Sequence, residues 1–376
     1  MTLRAIGLMS GTSCDGVDAL MLELQHPDRR HVPRVLGHVH HAFDDALQDR
    51  LRAPERLGIA DVSALGYLLA QRYADAVREL PQWESAQVVG MHGQTVWHCP
   101  PSRAGGGVSH TLQLGSSGAL AQALRLPVVG DLRAADVALG GEGAPIAPIA
   151  HWMFTPPDHA GRLVINVGGI ANVTLVTESC DDVLAGDVGP GMMITDALAR
   201  HVTGGSHAYD RDGTLSTGGQ PIPAVVEEIL AHPFFSRPLP RSTGREDFGA
   251  DTVAGLLQRH GHEAGADLIA SSLEATARAI VRAATEELPG VTELVLTGGG
   301  ALHPGLRARV QAMAAPRPVV VHHDGPLAPQ HHEPAAMALI AARTLHRLPS
   351  SLPRVTGARG PAVLGHVCWP GGQPGG

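Results

Sequence analysis

Apolar residues along this chain gather in short runs that stop at glycine. Arg4-Ala-Ile-Gly-Leu-Met is followed by the polar, glycine-bearing stretch Ser10–Gly16, and apolar residues resume from Val17 to Leu24. Buried-type runs on either side of a turn cluster predict strand, turn and strand. The outline returns about 160 residues later as Leu163–Val167, Gly168-Gly169 and Val173–Val176. These two segments read as matching positions in two similar halves, a repeat of pattern rather than of identity. A third run, Glu293-Leu-Val-Leu-Thr, meets Gly298-Gly299-Gly300 and passes into a helix. Helical periodicity predicts helices over Val62–Leu80, Ser117–Leu124, Met193–Val202, Asp267–Leu288 and Pro334–Leu345, the last opened by proline in its first turn. Strands alternating with long helices predict an α/β chain. Tyr209–Pro223 and Phe234–Phe248 are polar connectors carrying proline and glycine, and read as substrate loops.

The length, 376 residues, suits two domains of about 150 residues or more. A hydrophobic fraction of 44% with 17% charged residues is that of a chain able to bury a large core. All 28 cationic residues are arginine, and there is no lysine. That removes the P-loop, Schiff-base chemistry and the kinase Lys–Glu pair. A protein of this composition that handles nucleotide phosphate must use backbone amides, a metal and arginine. The net charge of −8 and 3% aromatic content speak against a nucleic-acid surface. Cys14, Cys99, Cys180 and Cys368 form no CxxC pair, so neither a zinc knot nor a disulfide scaffold is expected, and a reducing, cytoplasmic setting fits. The start of the chain is too short and glycine-rich for a signal peptide, and apolar stretches are broken by charge, so no membrane span is expected. The 22 histidines, clustered at His38/His40/His41, His322/His323 and His331/His332, read as surface residues rather than a metal site.

Three glycine-rich turns hold the candidate chemistry. Ser10-Gly-Thr-Ser-Cys-Asp-Gly-Val-Asp can form a nest of backbone amides for an anion, with Thr12 and Ser13 as hydroxyl donors. Asp15 and Asp18 would repel phosphate unless a divalent cation sits between, which points to Mg²⁺. A tight hairpin with Asx turns accounts for the same residues equally well. Asp187 precedes Gly189-Pro190-Gly191 and a helix, a strand-end position suited to a general base, or else to a helix cap. Gly298–Gly300 permits a nucleotide to lie against backbone. His92 and Gln94 follow one strand, and Arg133 follows another, at strand ends where open α/β sheets bind ligands. Arg133 is suited to a substrate carboxylate, or to a surface ion pair with Asp131 or Asp136.

Together these segments resemble the anhydro-N-acetylmuramic acid kinase family. The matching stretches are GLMSGTSCDGVDA (7–19), HGQTVWH (92–98), PVVGDLRAADVALGGEGAP (127–145), VINVGGIANVT (164–174), GDVGPGMMITDA (186–197), YDRDG (209–213), STGREDFG (242–249), LTGGGALHPGL (296–306), and a last block with Glu333 and PRVTGA (353–358). The resemblance implies two ribonuclease-H-like α/β domains of the actin, hexokinase and acetate-kinase type, flanking a nucleotide cleft. Their expected bounds are 1–140 and 141–376, the last residues returning to the first domain being an open alternative. It implies an ATP- and Mg²⁺-dependent enzyme that adds water across the anhydro bridge of 1,6-anhydro-N-acetylmuramic acid and phosphorylates O6. Carried over residue by residue, the base falls on Asp187. The ATP turn falls on Gly11, Thr12, Ser13, Cys14, Asp15, Gly16, Val17 and Asp18, with Asp15 as the metal ligand. Gly168, Gly298, Gly299 and Gly300 would line the nucleotide, and His92, Gln94, Arg133 and Glu333 the sugar. A homodimer is implied as well. The chain departs from the family pattern at Ser116, Gly186, Val188, Met192 and His332. Those departures keep two further readings in view, a kinase of the same fold for another sugar and a non-catalytic ATP-binding regulator.

Overall fold

The computed structural model describes residues 2–11, 13–321 and 327–372. The chain forms two compact units. One comprises Met1–Asp158, Ser179–Asp182 and His331–Gly376; the other comprises His159–Glu178 and Val183–Gln330. Residues 141–158, grouped with the second domain on sequence grounds, thus pack in the first unit, and the residues from His331 on follow the alternative left open there, a return to the first domain.

The first unit is built on a six-stranded sheet. Leu3–Met9, Gly16–Leu24 and Arg34–Ala42 form an antiparallel meander, with Met9 opposite Asp18 next to the first turn. Val88–Met91 runs parallel to the first strand, Val128–Gly130 runs parallel to Val88–Met91, and His366–Cys368 closes the edge antiparallel. The second unit repeats this plan with five strands, in the order Leu184–Pro190, Ile170–Leu175, Arg162–Val167, Glu293–Thr297 and Val319–Val321. Its first three strands are again antiparallel and its last two parallel. Each sheet is therefore ribonuclease-H-like, and each unit has its own apolar core. Most predicted helices form at or within a few residues of their expected bounds, at Ile59–Arg78, Ser117–Leu124, Met193–Val202 and His332–Leu345. The predicted helix Asp267–Leu288 is α-helical over Gly265–Arg282 and ends in a π turn, Ala283–Glu287.

Two glycines explain how the last long helix reaches the first sheet. Gly7 and Gly90 are register partners on adjacent parallel strands. A Cβ on Gly7 would lie 1.7 Å from the Pro334 carbonyl oxygen, and one on Gly90 would lie 2.1 Å from that of Met337. Helix His332–Leu345 thus rests its backbone directly on the sheet, with alanines at 335, 336, 338, 341 and 342 on its buried faces. That close approach ties Glu333, in the helix's first turn, to the first unit. Among the described residues no helix is long and apolar enough to cross a membrane.

Candidate active site

In the first unit, three parallel strands end at one edge of the sheet, and each is followed by a residue singled out in the sequence. Ser10 follows Leu3–Met9, His92 follows Val88–Met91, and Arg133 comes three residues after Val128–Gly130. Open α/β sheets place their ligand-binding groups at this carboxyl edge. The first turn is held from within. The Ser10 hydroxyl is buried 3.0 Å from the Gly16 carbonyl and 2.5 Å from Gln94 Oε1. Gln94 Nε2 in turn donates to the Gly11 carbonyl at 3.1 Å and lies 3.5 Å from Cys14 Sγ. Cys14 is buried with φ at 56°, so the turn bends sharply there. Gln94 therefore braces the turn from below. Ser13 and Asp15 stay exposed, hydrogen-bonded to each other. Val17 is buried under the turn. Asp18 lies on the second strand, with Oδ1 3.0 Å from His38 Nε2 and 3.2 Å from His40 Nδ1. Thr12, the other expected hydroxyl donor, lies outside the described residues, as do His322 and His323.

Arg133 does not form the surface ion pair that its neighbours Asp131 and Asp136 suggested. Its Nε donates to His92 Nε2 at 2.9 Å and its Nη1 to the Gly143 carbonyl at 2.6 Å. An arginine N–H only donates, so His92 Nε2 must be the acceptor. The imidazole proton then sits on Nδ1, 2.7 Å from the Gly93 carbonyl. Burial and the neighbouring guanidinium hold His92 down to about 3, so it stays neutral throughout the physiological range. Burial lowers Arg133 itself to about 10, against the opposing pull of Glu333 and Asp136. Arg133 remains a cation at neutral pH, and among the described residues its Nη2 has no hydrogen-bond partner. Such a guanidinium, pinned on one side and open on the other, suits an anionic ligand.

In the second unit the glycine-rich segments converge on a wall of backbone. The Gly168-Gly169 turn accepts hydrogen bonds from three successive amides, Gly191 N and Met193 N to Gly169 O and Met192 N to Gly168 O, at 2.8–3.1 Å. A Cβ on Gly191 would stand 2.2 Å from the Gly168 carbonyl oxygen. Gly298 has φ at +77°, and a side chain there would strike Asn166 Oδ1 at 2.4 Å. Gly300 packs on Val167 and Met192, whereas Gly299 has no heavy atom near its missing Cβ. The three glycines lead through a short 3₁₀ turn, Gly299–Leu302, into helix Pro304–Ala314.

Asp187 lies inside strand Leu184–Pro190 rather than at its end, because the strand continues through Pro190. The turn-like character of Gly189-Pro190 appears as a β-bulge. Asp187 pairs with Asn172 and Gly189 with Ala171, leaving Val188 as the extra residue. Bulges re-aim side chains beside functional sites. The outer edge of this strand is covered by the connector that carries Arg241 and Thr243. Asp187 N donates to the Arg241 carbonyl at 2.8 Å, and Arg241 Nε donates to the Asp187 carbonyl at 3.2 Å. The Asp187 carboxylate receives the Thr243 N–H at 2.8 Å. Burial pushes its pKa up to about 7, with Thr243 and Arg241 pulling the other way. It does not cap the following helix, which starts after Met192 without a side-chain cap.

Three departures from the family pattern receive a packing account. A Cβ on Gly186 would come within 2.7 Å of Leu239 and 3.1 Å of Arg241 N, so glycine here admits the connector that feeds Thr243 to Asp187. Val188 and Met192 are buried in the core of the second unit. Two further acidic residues, within the matching stretches 186–197 and 209–213 but outside the candidate site residues, are drawn into the second unit. Asp196, in the helix after the bulge, is raised to about 7 by burial, against Arg200 and aided by Asp210. Asp210 is buried and accepts from Leu215 N at 2.7 Å and Ser216 N at 3.1 Å, and it pairs with His303 at 3.1 Å. That joins the YDRDG loop to the cap of helix Pro304–Ala314. The spacing of Asp210 and His303 in the chain offers no local signal for this pair. The N-terminal histidine cluster is tied to carboxylates, His38 and His40 to Asp18 and His41 to Glu79 at 2.8 Å. Among the described residues, no group of three or more histidine, cysteine or acidic side chains could hold a metal ion.

The family model for anhydro-N-acetylmuramic acid kinase matches residues 3–370. An anhydro-N-acetylmuramic acid kinase of Salinibacter ruber is 38% identical, over 97% of this chain and 96% of its own length. One from a Picosynechococcus species is 36% identical, over 98% of this chain and the whole of its own. Among solved structures, the component A of (R)-2-hydroxyglutaryl-CoA dehydratase from Acidaminococcus fermentans aligns over 92% of this chain and 99% of its own. Its sequence identity is 12% and its TM-score 0.46.

Proposed function

This chain belongs to the anhydro-N-acetylmuramic acid kinase family, and on that premise we propose how its residues divide the work. The enzyme is a phosphotransferase acting on 1,6-anhydro-N-acetylmuramic acid, an amino sugar released in peptidoglycan recycling. Water adds at the anomeric carbon, the bond from C1 to the bridging oxygen breaks, and that oxygen becomes the free O6. O6 then takes the γ-phosphoryl group of ATP. The products are N-acetylmuramic acid 6-phosphate and ADP, with one water consumed.

Asp187 is the general base that takes a proton from the attacking water. The observation that carries this is its under-bonded carboxylate, buried enough to titrate at about 7. A base with its pKa near working pH is both ionised and strong enough to accept a proton, and is worth roughly 10²–10⁴-fold in rate. Arg133 holds the lactyl carboxylate of the sugar through the side of its guanidinium that the protein leaves open. His92 and Glu333 frame that cation, and Gln94 braces the turn Gly11–Asp18, whose amides receive phosphate. Gly168 and Gly298–Gly300 form the backbone surface against which the nucleotide lies.

Magnesium fits the first turn. It is commonly bound through one or two carboxylates plus substrate phosphates, and Asp15 is exposed there. Bound there, it would neutralise charge on the transferring phosphoryl group. Asp18, already committed to His38 and His40, is the poorer ligand. A homodimer and a cytoplasmic setting complete the reading. Its supports are the family resemblance and four cysteines that form no disulfide. Release of ADP from ATP and Mg²⁺ in the presence of the anhydro sugar tests the reaction. The absence of sugar-dependent ADP would falsify it. A panel of other amino sugars tests specificity, and light scattering tests the dimer.

A further inference from the structure

Behind Arg133 lies a chain of hydrogen bonds that the reaction itself does not require. Asp136 has no solvent exposure. One of its carboxylate oxygens accepts from the Thr356 hydroxyl at 2.8 Å, and the other accepts from Gly143 N at 2.8 Å. The carbonyl of that same Gly143 receives Arg133 Nη1. Thr356 also accepts Glu142 N on its backbone carbonyl at 2.7 Å, so the loop before Gly143 is held by its backbone and side chain alike. The loop wraps the carboxylate so closely that a Cβ on Gly141 would stand 2.2 Å from Asp136 Oδ2. The PRVTGA segment, far from Arg133 in sequence, thereby reaches the guanidinium through three hydrogen bonds, by way of Asp136 and Gly143.

We propose that Asp136 and Thr356 are positioning residues that aim Arg133 at the carboxylate of its substrate, and so set the preference for a sugar bearing that group. The inference rests on the reading of Arg133 given above. A buried carboxylate is costly unless its hydrogen bonds are met. A loop that needed only to be closed would do so through backbone bonds such as Glu142 to Thr356. The ionised group adds a fixed acceptor pair and a negative charge beside a half-buried arginine. Orientation of a binding group is worth little in the ground state of an unfilled site and much once a ligand is there.

The test uses the intact enzyme with ATP and Mg²⁺, and compares 1,6-anhydro-N-acetylmuramic acid with 1,6-anhydro-N-acetylglucosamine, the same sugar without the lactyl acid. In Thr356→Val, which keeps shape and loses the hydroxyl, the preference in kcat/KM for the acid sugar falls about tenfold, the size of one hydrogen bond to a charged group. The KM for ATP stays where it was, and Thr356→Ser restores the preference. Should the valine variant not fold, Asp136→Asn reads the same link and lowers the preference in the same direction. An unchanged preference in a folded variant overturns the inference. So does an equal loss on both sugars together with a rise in the KM for ATP, which is the mark of general loosening. Arg133→Ala separates the two levels. If it leaves the preference intact, the reading of Arg133 fails. If it abolishes the preference while Thr356→Val does not, only the positioning role fails.

Discussion

Asp136 in the first unit and Asp187 in the second are carboxylates whose pKa is raised by burial. Their surroundings differ in what they give back. Asp136 has the Thr356 hydroxyl on one oxygen and the Gly143 N–H on the other, with the Ser351 hydroxyl as a further donor, and it sits in a run of bonds that continues to Arg133, His92 and Gly93. Asp187 has one backbone N–H, from Thr243, and lies beside a bulge. The same loss of water thus produces a fixed structural anion in one place and a proton acceptor near neutrality in the other. What separates them is the number of donors, because hydrogen bonds to the charged form oppose the effect of burial on it. Binding groups gain from saturation, which holds them still. A base gains from being left short of partners, which keeps its proton affinity high.

Removing the poorly satisfied group should have the larger consequence. Asp187→Asn keeps the side chain's size and its bond from Thr243 while deleting the base. Turnover is expected to fall by roughly 10²-fold or more, with ATP affinity, read by calorimetry, nearly unchanged. Full activity in that variant would remove Asp187 from the mechanism and collapse the contrast. Arg133→Lys comes next. A lysine ammonium cannot reproduce the planar fork that serves His92 and Gly143 together and still leaves a donor for a ligand. The KM for the sugar should rise by about tenfold, with a smaller change in kcat. Equal kinetics with lysine would show that a point charge suffices and that the pinned geometry is incidental.

The two sheets and most of the helices are legible in the chain because their apolar runs are long and their breaks are glycines. The carboxyl-edge positions of His92, Gln94 and Arg133 follow from the same reading, since each comes just after such a run. The return of His331–Gly376 to the first unit is not legible in this way. It depends on Gly7 and Gly90 lying side by side, and a glycine within a strand looks like a weakness until the helix resting on it is seen. Gly7→Ala should cost about 1–3 kcal/mol of stability by chemical denaturation, since the backbone of the helix must move to admit the methyl. Thr243, within STGREDFG, bears no sequence signal of its role, because its part is played by a backbone N–H and any residue except proline carries one. The Asp136–Thr356 and Asp210–His303 pairs join residues 220 and 93 positions apart, and no local pattern announces either.

Asp187 and Asp196 are both raised to about 7, which makes their titration the finest test of the contrast. A base must be ionised, so kcat/KM should rise with pH through about 7 and level off above it. His92, held to about 3, contributes nothing to that limb. Asp196→Asn should leave the limb in place, because Asp196 is given no part in proton transfer; a limb that vanished with Asp196 would reassign the titration. Stability runs the other way. An aspartate raised from about 4 in the unfolded chain to about 7 in the fold binds its proton more tightly when folded. Its stabilising contribution is complete below about 4 and is lost as pH rises through about 7. Asp187→Asn should therefore raise the thermal midpoint at pH 8 by more than at pH 4, while keeping the loss of turnover at pH 8. A substitution that improves the fold where it destroys the chemistry would mark Asp187 as a residue kept under-bonded for its reaction. A midpoint that fell equally at both pH values would instead place Asp187 with Asp136, among the carboxylates that hold the structure together.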